Sequence, residues 1–445
     1  MAVDRYATRK LPQRLTPSGW LSLLPPRTPH EALDGNATAD VVVIGAGFAG
    51  LAAARRLHLI DPGLHIMVLE ALSVGEGAAG RNSGFVIDLP HDVSSESYGS
   101  DSANRARQEI MLNRSAIALA RGMAEEHRWS SDIFDACGKY SLAMGDSGDH
   151  HLADYARQLT NLAEPHRLLD RSETLAVTGT PAFSSALFTP GTIMIQPAAY
   201  VRAFADALAA RLRLHEQTPV TSFERVSGGW RITTPKASVT AGKIIVAANG
   251  HAESFGLLSG KLLHIFTYAS LSQPFDPARL PGTRRWAATP AHPMGTSVRR
   301  VTGPDGDRVL IRARYTYHPS LEISDGDVDS AGRLHDRKFA ARFPMLTGVP
   351  MAYRWGGAMA LTWNAVPAFA EVEPGLIVAC GCNGVGATKA TTLGIAAADL
   401  ITGQTTDVLQ AVREAPPPKS LPPQPFTTMG VKASLAWRHW RAGAE

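Results

Sequence analysis

Cysteine is scarce in this chain, with Cys137, Cys380 and Cys382 the only three in 445 residues. Three thiols cannot build a disulfide framework at this length, so the fold must rest on its core, and the usage suits a reducing, cytoplasmic compartment. Long apolar runs are also missing. No stretch of about 18 uncharged apolar residues occurs, and Leu21-Ser22-Leu23-Leu24 is too short for the apolar part of a secretory signal. The expectation is therefore a chain with neither a spanning helix nor a leader. Charge of one sign is not concentrated before the C-terminal tail: 44 basic and 40 acidic residues are interspersed, which implies no nucleic-acid partner. No self-similarity recurs at a period of roughly 20 to 50 residues, which excludes a solenoid. HExxH, a Walker loop, GxSxG and zinc-spaced Cys/His sets are absent, so hydrolytic and metal readings have no foothold. Cys380-Gly381-Cys382 puts two thiols on one face of a strand, where they read as small buried hydrophobes.

What is present begins at Asp40-Val41-Val42-Val43-Ile44-Gly45-Ala46-Gly47-Phe48-Ala49-Gly50, followed by an alanine-rich helical run. Apolar β-branched residues end in three glycines at dinucleotide spacing, so a buried strand turns sharply into a helix. Gly45 makes the turn, Gly47 admits a pyrophosphate, and Gly50 lets helix and strand pack; Phe48 and Ala49 open the helix whose N-terminus favours the anion. The run His65-Ile66-Met67-Val68-Leu69-Glu70 ends in an acid roughly 20 residues on, where a carboxylate takes a ribose hydroxyl, with Ala71 beside it.

At this length two or three domains, or one interleaved pair, are expected. Residues 1–35 carry five prolines around Trp20 and read as an extended arm docked by one aromatic anchor. After Glu70, a loop of small residues from Gly75 to Phe85 lets backbone lie against a flat ligand. Helices are expected over residues 101–129 and 149–169, then a short strand and a proline-started helix over 192–213. A strand and hairpin over 220–234 and a strand ending at Asn249-Gly250 return to β structure. Residues 256–350 read as an antiparallel sheet of a second domain. Last come a strand at Leu376, the glycines of Gly381 to Gly386, and a small-residue helix from Ala390 to Ile401, whose positive N-terminus suits negative charge. A proline-rich linker then leads to a basic helix, Val431 to Arg441, bearing Trp437 and Trp440, suited to a weak membrane or protein contact or to packing on its own domain.

In this order, GAGFAG, the Glu70 strand end, GAAGRNSG, Asn249-Gly250 and GCNGVGATK resemble the D-amino-acid oxidase superfamily of FAD enzymes, nearest in pattern to its γ-glutamylputrescine oxidase branch, over roughly residues 36 to 405. The resemblance implies an α/β plus α+β fold. A discontinuous Rossmann-type, glutathione-reductase-like FAD domain would occupy residues 36–95, 195–255 and 350–410. An antiparallel-sheet substrate domain would occupy 96–194 and 256–349, with the arm at 1–35 and the tail at 411–445.

By the same resemblance, Gly45, Gly47 and Gly50 hold the pyrophosphate, Glu70 the adenosine ribose, and Val220 the adenine. Gly80, Arg81, Asn82, Ser83 and Gly84 border the isoalloxazine, Asn249 and Gly250 close the nucleotide sheet, and Gly384, Val385, Gly386, Ala387 and Thr388 face the ring's N1/O2 edge. Covalent members attach the flavin through a histidine at the place of Arg81 or a cysteine in the segment matching Arg312 to Tyr317; this chain has neither, so FAD should be non-covalent. Sarcosine oxidases place an oxygen-activating lysine in a motif ending GFK, whereas Lys389 comes one residue later. Tyr315, Tyr317, His318 and His91 are further catalytic candidates, and Arg312, Arg314, Arg354 and Trp355 are candidates for holding substrate, since a guanidinium matches a carboxylate bidentately. The function implied is oxidation of an amine or amino acid by hydride transfer to FAD, with imine hydrolysis and electrons passing to dioxygen to give peroxide. Alternatives are a dehydrogenase using a quinone or protein acceptor, an NADPH-reduced flavin hydroxylase, or a flavin-bearing subunit that only binds a partner.

Overall fold

The computed structural model describes residues 5–90, 103–443 and 445. The strand Gly35–Ile44 explains the architecture, because its apolar end is buried on both faces. Val41 and Val43 belong to one core, with the helices Phe48–Ile60 and Gly386–Ile401, while Val42 and Ile44 belong to another, with Phe223, Trp230 and Phe255. Successive side chains point to opposite sides of a strand, so an unbroken β-branched run requires cover on both.

Five strands form a parallel set in the order Arg213–His215, Ile66–Leu69, Gly35–Ile44, Ala237–Val246 and Leu376–Cys380. The register pairs Ile44 with Leu69 and with Val246, and Val246 with Val378, so the strands' carboxyl ends lie level. The loops after them collect along one edge, where ligands bind in open α/β sheets. A hairpin (Ser222–Val226, Gly229–Thr233) extends the sheet antiparallel from Ala237–Val246, Arg5–Ala7 adds to it, and Ala368–Glu373 pairs with Leu376–Cys380.

A second sheet of eight strands runs Met351–Thr362, Leu262–Ser272, Gly306–Tyr317, Ser297–Gly303, Trp286–Pro290, Lys139–Ala143, Ser185–Thr189 and Arg167–Leu169. Its neighbours are antiparallel except Trp286–Pro290 with Lys139–Ala143. The strand Met351–Thr362, grouped by sequence with the nucleotide side, pairs here with Leu262–Ser272 along its whole length.

Helix Ala103–Glu126 answers the first helical expectation. The second spans Asp146–Asn161, and the chain then turns to the strand Arg167–Leu169. Residues 256–349 also hold an unanticipated helix, Asp325–Arg342. Its buried stripe contains only Ala331, Gly332, His335, Phe339 and Arg342, too polar for an apolar period, although the reciprocal Ser324/Asp327 capping box marks its start. The arm is anchored as expected, with Trp20 fully buried against Trp355. The C-terminal helix Phe426–Ala442 lies on the strand Gly306–Tyr317, with Val431 and Leu435 packed among Ile265, Tyr315 and Tyr317. Among the described residues no helix is long and apolar enough to cross a membrane.

Candidate functional site

The glycines after Gly35–Ile44 do different work. Gly45 has φ +103°, and a Cβ there would stand 2.8 Å from the Ala247 carbonyl oxygen, so only glycine makes this turn. A Cβ on Gly50 would lie 1.8 Å from the Gly45 oxygen, which makes that glycine a packing requirement. A Cβ on Gly47 would meet nothing nearer than the Ala79 side chain at 3.7 Å, and Gly47 lines a large cavity. Helix Phe48–Ile60 starts at Gly47, and helix Gly386–Ile401 starts at Val385; neither has a side-chain cap. Gly394 lets the second helix approach the first, since a Cβ there would be 2.1 Å from the Ala49 oxygen. Ala49 and Ala387 both line the cavity, so two uncapped first turns with partial positive charge open onto one space.

Glu70 ends Ile66–Leu69 and lines the cavity with Ala71 and Val220. Its carboxylate accepts from the Ala46 N–H at 2.8 Å and the Leu72 N–H at 3.0 Å, while burial pushes its pKa up. The Ala46 bond fixes the acid against the glycine turn. Glu216, which the sequence reading missed, is fully buried behind it, where it pairs with Arg27 of the arm and accepts from the Val74 N–H at 3.1 Å.

The loop from Gly75 to Gly84 is held from outside by the arm and the second sheet. Trp355 Nε1 donates to the Arg81 carbonyl at 2.9 Å, and Ser18 Oγ to the Gly80 carbonyl at 3.1 Å. Arg81 Nε donates to Gly356 O at 2.6 Å and its Nη2 to Thr16 O at 2.8 Å; burial draws this guanidinium's pKa down to about 10. Arg81, Asn82 and Ser83 line the cavity. Gly80 and Gly84 instead permit packing, because a Cβ would fall 2.0 Å from Gly75 O and 2.3 Å from Ile195 O.

The cavity continues to the second sheet at Thr267, Thr289, Ser297 and Arg312. Arg312 lies over the Tyr315 ring at 4.6 Å and donates from Nη1 to the Tyr315 hydroxyl. Behind Thr289 is Lys139, also missed from sequence, fully buried with Nζ 3.0 Å from Ser141 Oγ and 3.3 Å from Thr289 Oγ1. Burial lowers its pKa to about 8. A lone lysine on a strand gives no periodic signal, so only the cross-strand pairing of Ser141 with Thr289 reveals this cluster.

Asn249, Gly250, Gly384, Val385 and Gly386 line the same cavity, as do Cys380 and Cys382, whose thiols are pushed up by burial. Other sequence candidates lie elsewhere. Lys389 does not line the cavity; one helical position past Thr388 it points to helix Ala103–Glu126, where Nζ pairs with Glu109 at 2.9 Å. Thr388 is buried behind the wall. Arg314, Tyr315, Tyr317 and His318 face a separate surface pocket shared with Lys432 and His439, because a bulge puts Arg314 at φ +69° and swings the strand end away. Arg354 pairs with Asp336 at 2.8 Å, and Trp355 supports the Arg81 loop from behind. His91 lies outside the described residues.

A family model described as FAD dependent oxidoreductase matches residues 40–400. The chain is 28% identical over 386 residues to the γ-glutamylputrescine oxidoreductase of Escherichia coli, covering 84% of this chain and 86% of that one. It is 24% identical over 391 residues to the sarcosine oxidase subunit beta of Rhodobacter capsulatus, covering 81% and 84%. The solved glycine oxidase from Geobacillus kaustophilus shares the fold, with a TM-score of 0.68 at 22% identity over 83% of this chain and 96% of that one.

Proposed function

The chain belongs to the family of FAD-dependent oxidoreductases, and from that premise we propose that it oxidises a carbon–nitrogen bond of a small amine or amino acid. The observation that carries the reading is one cavity running from Gly47 and Glu70 to Arg312 of the second sheet. Two uncapped helix starts and an open Gly47 fit a bound pyrophosphate and a negatively charged ring edge. FAD, when bound, supplies the two-electron acceptor.

The residues of this chain bind and orient. Gly45, Ala46 and Gly47 hold the pyrophosphate, Glu70, Ala71 and Val220 hold the adenosine, and Arg81, Asn82 and Ser83 border the flavin ring. Neither attachment position of the covalent relatives carries its nucleophile, with Arg81 at one and no cysteine from Arg312 to Tyr317 at the other, so the cofactor is held without a covalent bond. Arg312, kept in place by Tyr315, receives a substrate carboxylate. The substrates named by the relatives, γ-glutamylputrescine and sarcosine, are amines that carry that group. With FAD bound, the substrate amine would enter neutral and, after loss of a hydride and a proton, the imine would be hydrolysed by water to a carbonyl compound and ammonia or an amine. With dioxygen as the acceptor, the two electrons and two protons would leave as hydrogen peroxide.

The test is anaerobic mixing of FAD-loaded protein with a panel of amines and amino acids. Bleaching of the flavin by at least one, with peroxide formed on admitting air, is the expected result. Bleaching by NADPH with every amine inert would overturn the reading. A second reading, transfer to a quinone or protein acceptor, is favoured by the pairing of Lys389 with Glu109 away from the cavity. It predicts a reduced flavin that persists in air and reoxidises with a quinone analogue.

A further inference from the structure

The outer face of the C-terminal helix Phe426–Ala442 has no role in the site described above. Its inner face is spent on the second sheet through Val431 and Leu435. On the outer face Phe426, Met429, Trp437 and Trp440 are 66, 65, 48 and 77% exposed. Together with exposed Ala433 they recur three and four residues apart, which puts them on one stripe of the helix. Single exposed apolar side chains need no explanation, but a full-length row with two tryptophans does.

Charge identifies what the row meets. From Ala415 to Gly443 the charged residues are Lys419, Lys432, Arg438 and Arg441, and no Asp or Glu occurs between Glu414 and Glu445. Those four positive charges equal the formal net charge of the whole chain, +4, so the rest of the molecule is balanced. By helical geometry Lys432 flanks the stripe on one side and Arg441 on the other, with the Arg441 guanidinium 4.9 Å from the Trp437 ring centre. A second copy of the chain would bring these cations against themselves. A protein groove is a poorer match, since one convex row falls short of the roughly 800 Å² per partner that a stable interface buries.

We propose that this helix docks the protein on an anionic membrane surface, lying in the plane of the interface with Phe426, Met429, Trp437 and Trp440 among the acyl chains and the flanking Lys432 and Arg441 on lipid phosphates. Tryptophan suits that depth because its ring is apolar and its N–H is wet, and flanking cations are drawn by the negative leaflet. The helix lies on the bilayer without spanning it. The inference is independent of which substrate the cavity takes.

The experiment is co-sedimentation of the FAD-loaded full chain with vesicles of phosphatidylcholine mixed with phosphatidylglycerol, against phosphatidylcholine alone. Binding to the anionic vesicles, its release by salt, and a blue shift of tryptophan emission are expected. Trp437→Ser with Trp440→Ser should lower the bound fraction at least about tenfold while leaving the flavin spectrum unchanged, since neither ring lines the cofactor cavity. No binding at low salt, equal binding to both vesicles, or a dimer in gel filtration that the same pair of substitutions abolishes would overturn the proposal.

Discussion

The indole N–H of Trp20 donates to the carbonyl oxygen of Asn82 at 2.7 Å, tying the proline-rich arm to the loop that lines the cofactor cavity. Ser18 and Thr16 bond the same loop at Gly80 and Arg81, and the Arg299 guanidinium lies 5.1 Å from the Trp20 ring centre while donating to Ile195 O. The arm therefore clamps the cavity wall as well as filling a core position.

Trp20→Ala should lose about 3–5 kcal/mol of stability from the cavity it leaves and lose bound flavin as the loop is freed. Trp20→Phe fills much of the space but cannot donate to Asn82. Flavin-to-protein absorbance ratios for the two variants separate packing from the hydrogen bond; full flavin content in Trp20→Ala would dissociate the arm from the site.

Gly47 and Gly50 should fail differently. Gly47→Val has room in the cofactor-free fold, so the protein should fold with native circular dichroism yet hold no FAD. Gly50→Ala collides with the Gly45 carbonyl and should misfold or melt well below wild type. Glu70→Ala should weaken FAD by about 1.5–3 kcal/mol, the worth of a hydrogen bond to a charged group. Wild-type FAD should appear free in the supernatant after acid precipitation. A Gly47→Val protein with full flavin, or flavin retained in the acid pellet, would refute the assigned mode of binding.

The nucleotide edge was legible because local and global signals agree there: β-branched run, glycines, helix and terminal acid each point to the same turn. The far end was less so. Arg312 and Arg314 look alike in sequence, and only a β-bulge between Thr267 and Tyr268 sends the second to a different pocket. Lys389 stands one residue past the place of the family's lysine, and one helical position is about 100° of rotation, enough to take it from the cavity to Glu109. Lys139 and Glu216 are buried charges whose partners come from remote segments, Thr289 and Arg27. Nothing local announces them.

Lys139 should make stability depend on alkaline pH. Burial lowers its pKa from 10.5 to about 8, so between those values the unfolded chain holds a proton that the folded chain has released. Stability therefore rises with pH through this window, and at neutral pH the buried ammonium costs about 3 kcal/mol. Lys139→Met should raise the melting temperature at pH 7 and flatten the alkaline rise. An unchanged slope between pH 8 and pH 10 in the variant would show that the rise has another source.

Acid should act through buried neutral histidines. His335 receives or gives a hydrogen bond at each nitrogen, with Ser270 Oγ at 2.7 Å and Ala313 O at 3.1 Å, and burial lowers its pKa to about 4. His251, His292 and His439 are lowered in the same direction, each chiefly by burial. As pH falls from 6.5 toward 4 the unfolded chain takes up protons that the folded chain refuses, so stability present above that window is lost within it. Melting temperatures should drop steeply below pH 6.5, and His335→Gln should shallow the drop. A flat profile down to pH 4.5 would mean that these rings protonate in place.

Arg312 and Lys389 should separate in kinetics because one lines the cavity and the other does not. Arg312→Lys keeps the charge but loses the bidentate fork and the bond to Tyr315, so KM for a carboxylate-bearing substrate should rise roughly 10- to 100-fold, the equivalent of about 1.5–3 kcal/mol. A matched amine without the carboxylate should change little. Lys389→Met breaks the ion pair with Glu109 and leaves the cavity wall untouched, so anaerobic reduction and reoxidation in air should both stay within about twofold, with a stability change of about 1 kcal/mol or less for a partly exposed pair. Stopped-flow measurement of the two half-reactions decides the matter. Selective slowing of reoxidation in Lys389→Met would mean that its ammonium acts on the oxygen reaction despite its pairing with Glu109, and an equal loss on both amines in Arg312→Lys would remove Arg312 from carboxylate binding.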